Sequence, residues 1–243
     1  MHGPDITRPS AEIIEALYRA STASLTTILK HKGVRNVWMP IRPLFPGMTT
    51  VGPALTIRTV PGRDDLQAAA YQPGTLFPGH PDEAIEAVRP GDVVVVDGRG
   101  ATHEGLFGDL LTLRIKQKGA AGLVCDMAVR DAPHMAGKEI PIFCLGGASP
   151  GSTAFNVDYN VPIGCAGALV CPGDIIVGDD DGVVVIPLAM ISEVIAEVTV
   201  HEEREDFIRE MLSQGVPLEG LYPTGPEMEA RFQEGRASKG KGV

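Results

Sequence analysis

An aspartate and an arginine–aspartate pair stand twenty residues apart near the middle of the chain. Asp109 lies near the start of a segment with helical periodicity, and Arg130 and Asp131 follow an apolar run. An arginine guanidinium is a planar fork that binds a carboxylate through two hydrogen bonds. An aspartate carboxylate is a hard oxygen ligand of the kind that Mg²⁺ prefers. These residue types suit a site for an anionic substrate beside a divalent cation. The alternative is a surface ion pair and an ordinary acid in the first turn of a helix.

The elements around these residues are expected to bring them together. The sequence predicts a helix over 105–118 and an apolar strand over 121–126, directly before the arginine–aspartate pair. A helix of ten residues covers about 15 Å and a strand of five about 16 Å, so antiparallel elements return the chain to Asp109. In open α/β sheets ligands bind at the carboxyl ends of strands. We therefore expect one crevice, where the amides of Leu110 and Leu111 can receive an anion.

The remaining pattern indicates an α/β fold. A β-branched run over 92–97, bounded by turn residues, is typical of a strand buried on both faces. This strand is followed by a loop, a helix and a second strand, and that order predicts a βαβ unit with parallel pairing. The other predicted elements are helices over 9–31, 81–90 and 187–214, strands over 51–60, 140–144, 161–170, 174–178 and 182–186, a surface loop over 72–80 and a loop-rich end.

Charge and composition narrow the class of protein. A net charge of −10 argues against a nucleic-acid partner, which needs a concentrated basic surface. The basic cluster of Arg236, Lys239 and Lys241 is interpreted as a frayed terminus. No signal segment or membrane-spanning apolar run is found, so we expect a cytoplasmic protein without a membrane partner. The four cysteines form no C-x-x-C pair and are expected to be free buried thiols.

Three further patterns suggest chemistry that their context does not support. A Schiff-base aldolase needs a lysine in an apolar pocket, whereas every lysine here lies at a helix end, among charges or in the tail. The run 98–100 hints at a dinucleotide-binding loop, but Gly105 breaks the required spacing. The acidic triplet 179–181 is flanked by glycines between two short strands, which favours a hairpin turn over a calcium site.

The spaced motif resembles that of a known family. The segment Phe107-Gly108-Asp109-Leu110-Leu111 is followed by Arg130-Asp131, with twenty residues between Asp109 and Arg130. This spacing resembles the D-x20-R-D motif of the class II pyruvate aldolases in the 4-hydroxy-4-methyl-2-oxoglutarate aldolase/RraA-like family. Four further segments are similar and occur in the same order: Pro90-Gly91-Asp92, Ala120-Ala121-Gly122, Pro172-Gly173-Asp174 and the run 178–187.

The resemblance covers roughly residues 10–217 and implies a fold and an assembly. It implies a swivelling β/β/α fold of the α/β class with a long C-terminal helix. An RraA-like domain is expected over 1–217, followed by a C-terminal extension over 218–243. The implied assembly is a homotrimer or a dimer of trimers.

The resemblance also implies a metal site. Asp131 would bind Mg²⁺ or Mn²⁺, and a glutamate from the C-terminal helix of a neighbouring subunit would lie near the metal. Glu205 is the best match for that residue and Glu202 the second. Two positions depart from the family pattern: Met127 replaces a glycine before the motif, and His134 replaces an acid after it. His134 is a possible substrate contact or metal ligand, although a turn cap is the default interpretation.

A binding mode for the substrate follows from the same resemblance. Arg130 and the backbone around Gly108, Leu110 and Leu111 would orient a pyruvyl group, and Asp109 would order a water. The implied activity is metal-dependent retro-aldol cleavage of a 4-hydroxy-2-oxo acid to pyruvate, with decarboxylation of oxaloacetate through the same enolate. The alternative is a non-catalytic protein that restrains a ribonuclease, as in the RraA branch. The complete set of acids and arginine favours the enzyme.

Overall fold

The computed structural model describes residues 2–72, 80–137 and 140–239. The chain divides into two compact units, Met1–Ile195 and Ala196–Val243. In the described ranges no helix combines the length and the apolar character needed to cross a membrane. The surface loop predicted over 72–80 lies outside the described residues except at its two ends.

Eight α-helices and eleven strands are found in the described part of the chain. The helices are α1 Ala11–Leu17, α2 Thr22–His31, α3 Asp64–Gln67, α4 Asp82–Ala87, α5 Asp109–Gln117, α6 Ala132–Met135, α7 Ile191–Ser213 and α8 Pro226–Lys239. The strands are β1 Trp38–Met39, β2 Arg42–Pro43, β3 Thr50–Val60, β4 Val93–Asp97, β5 Gly122–Cys125, β6 Ile142–Cys144, β7 Phe155–Tyr159, β8 Ile163–Cys165, β9 Ala168–Val170, β10 Ile175–Asp179 and β11 Gly182–Ile186.

One large mixed sheet organises the first unit. Its strands follow the order β1-β11-β10-β3-β4-β5-β6-β2, and β7 pairs with β3 outside this path. The pairs β3–β4, β4–β5 and β5–β6 are parallel, which confirms the predicted βαβ pairing. A separate hairpin is formed by β8 and β9. The parallel half of the sheet therefore carries the loops that were expected to form the site.

Strand β4 is buried on both faces, as its β-branched run predicts. Val94 and Val96 pack into one hydrophobic cluster with side chains of α4 and α5. Val93 and Val95 alternate with them and pack into a second cluster with β8 and β9. Because successive side chains of a strand point to opposite faces, these valines contribute to two cores at once.

The first predicted helix is in fact two helices. The structure ends α1 at Leu17 and starts α2 at Thr22, where the prediction had one helix over 9–31. Ser21 is the N-cap of α2, and its side-chain oxygen accepts a hydrogen bond from the amide of Ser24. Such a cap satisfies a helix N-terminus and marks a new start. Apolar periodicity continues across this break, which is why the pattern concealed it.

The prediction of a loop-rich C-terminal end was wrong. Helix α8 contains Arg236, which the sequence pattern placed in a frayed terminus. The guanidinium of Arg236 pairs with Glu203 of α7. Phe232 of α8 is 3% exposed. The guanidinium carbon of Arg204 lies 5.0 Å from the centre of its ring. Contacts between α7 and α8 thus stabilise a helix whose own sequence has little apolar patterning.

The acidic triplet forms the predicted hairpin turn. Asp179 and Gly182 are paired across β10 and β11, which leaves the two residues between them as the turn. The carboxylate of Asp179 accepts hydrogen bonds from the amide and hydroxyl of Thr22, at 2.8 and 2.7 Å. This carboxylate therefore accepts hydrogen bonds from the first residue of α2. All four cysteines are free, as predicted, and three of them are buried whereas Cys171 is half-buried.

An N-terminal arginine anchors the start of β4. Nε and Nη2 of Arg8 donate to the two carboxylate oxygens of Asp92 at 2.8 and 2.9 Å. The Asp92 side chain is fully buried, with 0% exposed. A carboxylate removed from water in this way needs its partner, because an unpaired buried charge is strongly destabilising.

We expect Arg8→Ala to lower the free energy of unfolding by about 3 kcal/mol, since it leaves the buried Asp92 carboxylate without its cation. Urea denaturation followed by circular dichroism measures this loss. Arg19→Ala is the matched control, because Arg19 pairs with Glu15 on the surface, with both side chains more than two-thirds exposed. Equal urea midpoints for the two variants would show that the buried pair does not stabilise the fold.

Candidate functional site

The arginine–aspartate pair lies against the loop that precedes α5. The amide of Arg130 donates to the carbonyl of Phe107 at 2.8 Å. Gly105 forms isolated bridges with Ala128 and Gly151. A Cβ on Gly105 would lie 2.9 Å from the nitrogen of Arg130, so a side chain there would clash with the neighbouring backbone. The two loops are thus bound side by side at the carboxyl edge of β4 and β5.

This pairing explains where α5 begins. The prediction started the helix at residue 105, whereas the structure starts it at Asp109 with Gly108 as N-cap. The peptide groups of 105–107 bond to the opposite loop and to the segment around Gly151 instead of continuing a helix. Asp109 therefore occupies the first helical position, closer to the helix N-terminus than predicted.

Gly108 lies close to the Asp131 carboxylate, with no room for a side chain between them. A Cβ built on Gly108 would lie 2.8 Å from Oδ2 of Asp131 and 3.7 Å from Cβ of Arg130. Gly108 immediately precedes Asp109 in the chain, so the structure brings Asp109, Arg130 and Asp131 to one place. The absence of a side chain at Gly108 leaves room for the Asp131 carboxylate.

Asp131 has an unusual backbone conformation. Its φ is +58°, in the left-handed region that non-glycine residues seldom adopt, and it forms the N-cap position of the short helix α6. Its carbonyl accepts a hydrogen bond from the amide of His134 at 2.8 Å. Residues held in such conformations cluster at functional sites, where the surrounding contacts maintain them. The strain therefore marks Asp131 as a candidate functional residue independently of its side chain.

The three side chains keep their binding capacity. Arg130 and Asp131 are exposed and Asp109 is half-buried. Among the described residues, none engages these three side chains in a hydrogen bond or ion pair. A Cβ on Gly151 would lie 3.3 Å from Nη1 of Arg130, which shows that the guanidinium extends along this segment. An incoming anion would thus find a guanidinium with its donors available.

The N-terminus of α5 lies beside the arginine–aspartate pair, because its N-cap Gly108 is close to Asp131. The first intrahelical bond runs from the amide of Thr112 to the carbonyl of Gly108, at 3.0 Å. The amides of Leu110 and Leu111 precede it, in the first turn, where helix N–H groups lack an intrahelical acceptor. Leu110 is 74% exposed, so solvent and ligands have access to this turn. Such amides and the helix dipole together favour an anion.

The Asp131 carboxylate is a suitable ligand for a hard divalent cation. Its carboxylate is exposed, and no described side chain occupies its oxygens. In the described ranges no group of three or more His, Cys, Asp or Glu side chains is arranged to hold a metal ion. Mg²⁺ commonly takes one or two protein carboxylates and keeps several waters, so a single aspartate matches that mode.

Two of the predicted accessory residues have clear positions. His134 is exposed in α6, one turn from Asp131, and its backbone caps that turn. Glu205 lies in α7, where its carboxylate oxygens are 3.9 Å from His201 Nε2 and 3.7 Å from an Arg209 nitrogen. The role of Glu205, or of Glu202 beside it, in a neighbouring subunit stays a prediction.

Sequence reasoning missed an acidic group beside the site. Asp97 ends β4 and Asp126 follows β5 at the same edge of the sheet. Burial raises the pKa of Asp97, and the neighbouring charge of Asp126 raises it further. Burial likewise raises the pKa of Asp126, against the hydrogen bonds from the Gly98 and Ala166 amides. An acid placed directly at the end of each apolar run was the signal in the sequence.

Comparison with known proteins identifies a family match and a curated relative of this chain. Residues 11–185 match the model of the RraA-like family, described as Aldolase/RraA. A curated protein of Halalkalibacterium halodurans, named "Putative 4-hydroxy-4-methyl-2-oxoglutarate aldolase", is 32% identical over 185 residues. The aligned region covers 76% of this chain and 81% of that protein.

Solved structures share the fold. RraAS2 of Streptomyces coelicolor, described as an unusual member of the RNase ES inhibitor RraA protein family, superposes with a TM-score of 0.73 and 35% identity. The match covers 84% of this chain and 98% of that chain. An uncharacterized protein of Pseudomonas syringae pv. tomato gives a TM-score of 0.78 with 25% identity, covering 91% of this chain and 98% of that chain. These matches confirm the predicted family resemblance and α/β fold.

Proposed function

This chain belongs to the RraA-like family of aldolases and RraA proteins, and from that premise we propose that it is a divalent-metal-dependent lyase. Its reaction would be retro-aldol cleavage of a 4-hydroxy-2-oxo acid to pyruvate. The observation that carries the proposal is the short distance from Gly108 to Asp131 and Arg130, which brings the start of α5, with Asp109, beside the arginine–aspartate pair. The similarity to a protein named as an aldolase supports the same reaction.

The substrate carboxylate is bound by two kinds of donor. Arg130 presents a guanidinium fork that matches a carboxylate in geometry and charge. The amides of Leu110 and Leu111 add donors from the N-terminus of α5, where the helix dipole favours negative charge. Together they orient the pyruvyl unit so that its 2-oxo group lies towards Asp131.

Asp131 would hold Mg²⁺ or Mn²⁺, whose positive charge stabilises an enolate when the ion is bound. Retro-aldol cleavage removes the proton of the 4-hydroxyl group, breaks the bond between C3 and C4 and leaves the electron pair on the pyruvyl unit. Asp109, at the first position of α5, would orient a water that accepts that proton and returns one to C3. Arg130 adds positive charge beside the developing enolate.

The same residues suit the decarboxylation of oxaloacetate. Loss of CO₂ breaks the bond from C3 to the distal carboxylate and leaves the same pyruvate enolate, which is then protonated at C3. Stabilising that enolate is the shared requirement of both reactions, so one site serves both.

A direct assay tests the proposal. The purified protein is incubated with oxaloacetate and with 4-hydroxy-4-methyl-2-oxoglutarate, with Mg²⁺, with Mn²⁺ and with a chelator, and pyruvate is followed through a coupled dehydrogenase. We expect pyruvate above the metal-only background and its loss with the chelator. Background rates for both substrates would refute the lyase.

The similarity to RraAS2 favours a second function, the restraint of a ribonuclease by direct binding. A regulator of this kind does not need the Asp131 carboxylate to be free. Inhibition of a purified RNase E-type enzyme by both the wild type and Asp131→Asn, without pyruvate formation by either, would support this alternative.

The contact between Gly108 and Asp131 makes a specific prediction. A Cβ at residue 108 would lie 2.8 Å from Oδ2 of Asp131, so Gly108→Ala must displace the carboxylate. We expect pyruvate formation to fall at least about tenfold, or 1.4 kcal/mol, with little change in melting temperature, since the φ of −113° suits alanine. Gly164→Ala is the control, because no atom lies within 4 Å of its Cβ. Equal rates for the two variants would contradict a role for the Asp131 position.

We further propose the assembly and location that the family resemblance implied: a homotrimer or dimer of trimers in the cytoplasm, with Glu205 of a neighbouring subunit near the metal. Support comes from the family match alone. Analytical ultracentrifugation of the purified chain tests the oligomeric state.

A further inference from the structure

A second arginine leaves the sheet at the same edge as Arg130. Arg99 follows β4, and Arg130 follows the parallel neighbour β5. The two loops are joined where the amide of Ala128 donates to the carbonyl of Ala101 at 2.8 Å. Arg99 has a φ of +59°, a left-handed conformation like that of Asp131. Two adjacent loops thus each hold a non-glycine residue in a strained backbone conformation.

A short stretch of chain connects the surroundings of the two guanidinium groups. Gly151 lies next to Arg130, since a Cβ there would be 3.3 Å from Nη1. Two residues later, the amide and hydroxyl of Thr153 donate to Oε2 of Glu104 at 2.8 and 3.1 Å. The other oxygen of Glu104 is 4.0 Å from Nη2 of Arg99. Two residues of extended chain cover at most about 7 Å, so Gly151 beside Arg130 and Thr153 beside Glu104 belong to one short segment between the two loops.

The guanidinium of Arg99 is held in place but not saturated. Its Nε lies 3.4 Å from Oγ1 of Thr59, a long hydrogen bond, and its approach to Glu104 is beyond hydrogen-bond distance. The side chain is 31% exposed. By contrast, Arg58 at the end of β3 forms an ion pair with Asp158 at 2.6 Å. Because arginine has five N–H donors, Arg99 retains donors for an anion from solvent.

The acidic side chains near Arg99 affect where an anion could bind to its guanidinium. The oxygens of Asp126 accept the amides of Gly98 and Ala166. Glu104 is 7% exposed and is bonded to Thr153. Asp97 accepts the amide of Arg99 at 3.2 Å. These three carboxylates accept hydrogen bonds from backbone and hydroxyl donors, and none of them accepts a hydrogen bond from the Arg99 guanidinium. A carboxylate from solvent would bind the outer N–H groups of Arg99.

We propose that Arg99 is a specificity-determining residue that binds the distal carboxylate of a 4-hydroxy-2-oxo dicarboxylic acid while Arg130 binds the carboxylate next to the oxo group. The inference rests on the proposed function and assigns a residue to the second carboxylate of its retro-aldol substrate. A monocarboxylate leaves Arg99 without a ligand, whereas a dicarboxylate forms a second charge-assisted pair. Discrimination therefore comes from one guanidinium on the loop after β4.

The test compares two unreactive 2-hydroxy acids that differ by one carboxylate. Malate has the distal carboxylate and lactate lacks it, and their dissociation constants are measured by isothermal titration calorimetry in the same Mg²⁺ buffer. We expect the wild type to bind malate at least about tenfold more tightly, which corresponds to 1.4 kcal/mol. Arg99→Gln should bring this ratio close to one and leave lactate binding unchanged.

Arg58→Gln is the matched control, because it removes the same charge at the same edge of the sheet from an arginine already paired with Asp158. It should keep the wild-type preference for malate. Arg99→Gln keeps a non-glycine side chain at the left-handed position, and Glu104 keeps its hydrogen bonds from Thr153. We therefore expect a small fall in melting temperature, from the loss of the Arg99–Glu104 pair, without loss of the fold.

Three results would overturn the proposal: equal wild-type affinities for malate and lactate, a preference retained in Arg99→Gln, or a preference lost equally in Arg58→Gln. The binding ratio does not depend on turnover. A wild type that prefers malate through Arg99 but forms no pyruvate would therefore refute the lyase and retain the dicarboxylate site.

Discussion

Asp131→Asn is expected to lower metal-dependent pyruvate formation at least about 1000-fold, a loss of about 4 kcal/mol in transition-state stabilisation. The amide has the size of the carboxylate but no charge, and a neutral oxygen is a poor ligand for Mg²⁺ or Mn²⁺. Asparagine also tolerates the left-handed conformation that residue 131 adopts, with φ of +58°. The variant should therefore fold normally and lose activity through charge alone.

Asp131→Ala should lose activity to the same extent. Alanine is less suited to positive φ, so this variant should in addition be less stable by about 1 kcal/mol. Asp181→Ala is the matched control, since Asp181 is an exposed aspartate in the hairpin turn, with its side chain 77% exposed. Initial rates are measured at saturating metal and substrate, with thermal melts for all variants. Full activity in Asp131→Asn would show that the metal assignment is wrong.

Arg130→Lys is expected to lower kcat/KM for oxaloacetate about 100-fold, although the positive charge is retained. An ammonium group presents a point charge and cannot reproduce the two parallel hydrogen bonds of a guanidinium to a carboxylate. The backbone amide of Arg130 donates a hydrogen bond to the carbonyl of Phe107, and its guanidinium has no partner among the described residues. Its geometry is therefore available for the substrate.

Arg114→Lys is the control for the replacement of an arginine by a lysine. Arg114 forms a two-pronged pair with Glu86 on the surface of α5, at 2.7 and 2.8 Å. The same substitution there should leave the rate unchanged. Steady-state kinetics separate the parameters: a rise in KM with constant kcat would indicate that Arg130 binds the ground state and the transition state equally well. A near-normal kcat/KM in Arg130→Lys would count against carboxylate binding by this residue.

The local sequence pattern was sufficient to predict strand β4, which is buried on both faces. The valines of β4 alternate between two cores, and the run of β-branched residues that produces this burial is visible in the sequence. The spacing between Asp109 and Arg130 was likewise informative, because one helix and one parallel strand return the chain to its starting edge.

Contacts distant in sequence decided the rest. Helix α8 depends on α7, through the pairs of Arg204 with Glu229 and of Arg236 with Glu203, and its own sequence has little apolar periodicity. The position of Arg99 depends on Glu104 and on the segment after Gly151, so its loop was considered only as a nucleotide-binding pattern. Such positions follow from tertiary structure, which a local pattern does not encode.

The long strand β3 has a consequence for how the first unit opens. Its first residues pair with β10, its later residues with β4, and its end with β7, so it has partners on both sides. Leu55 and Ile57 are 0% and 1% exposed. Amide protons in the middle of β3 should therefore exchange with deuterium only when the whole unit unfolds. The parallel and antiparallel halves of the sheet are thereby coupled into a single cooperative unit, and the edge that carries Arg130 and Asp131 shares its stability.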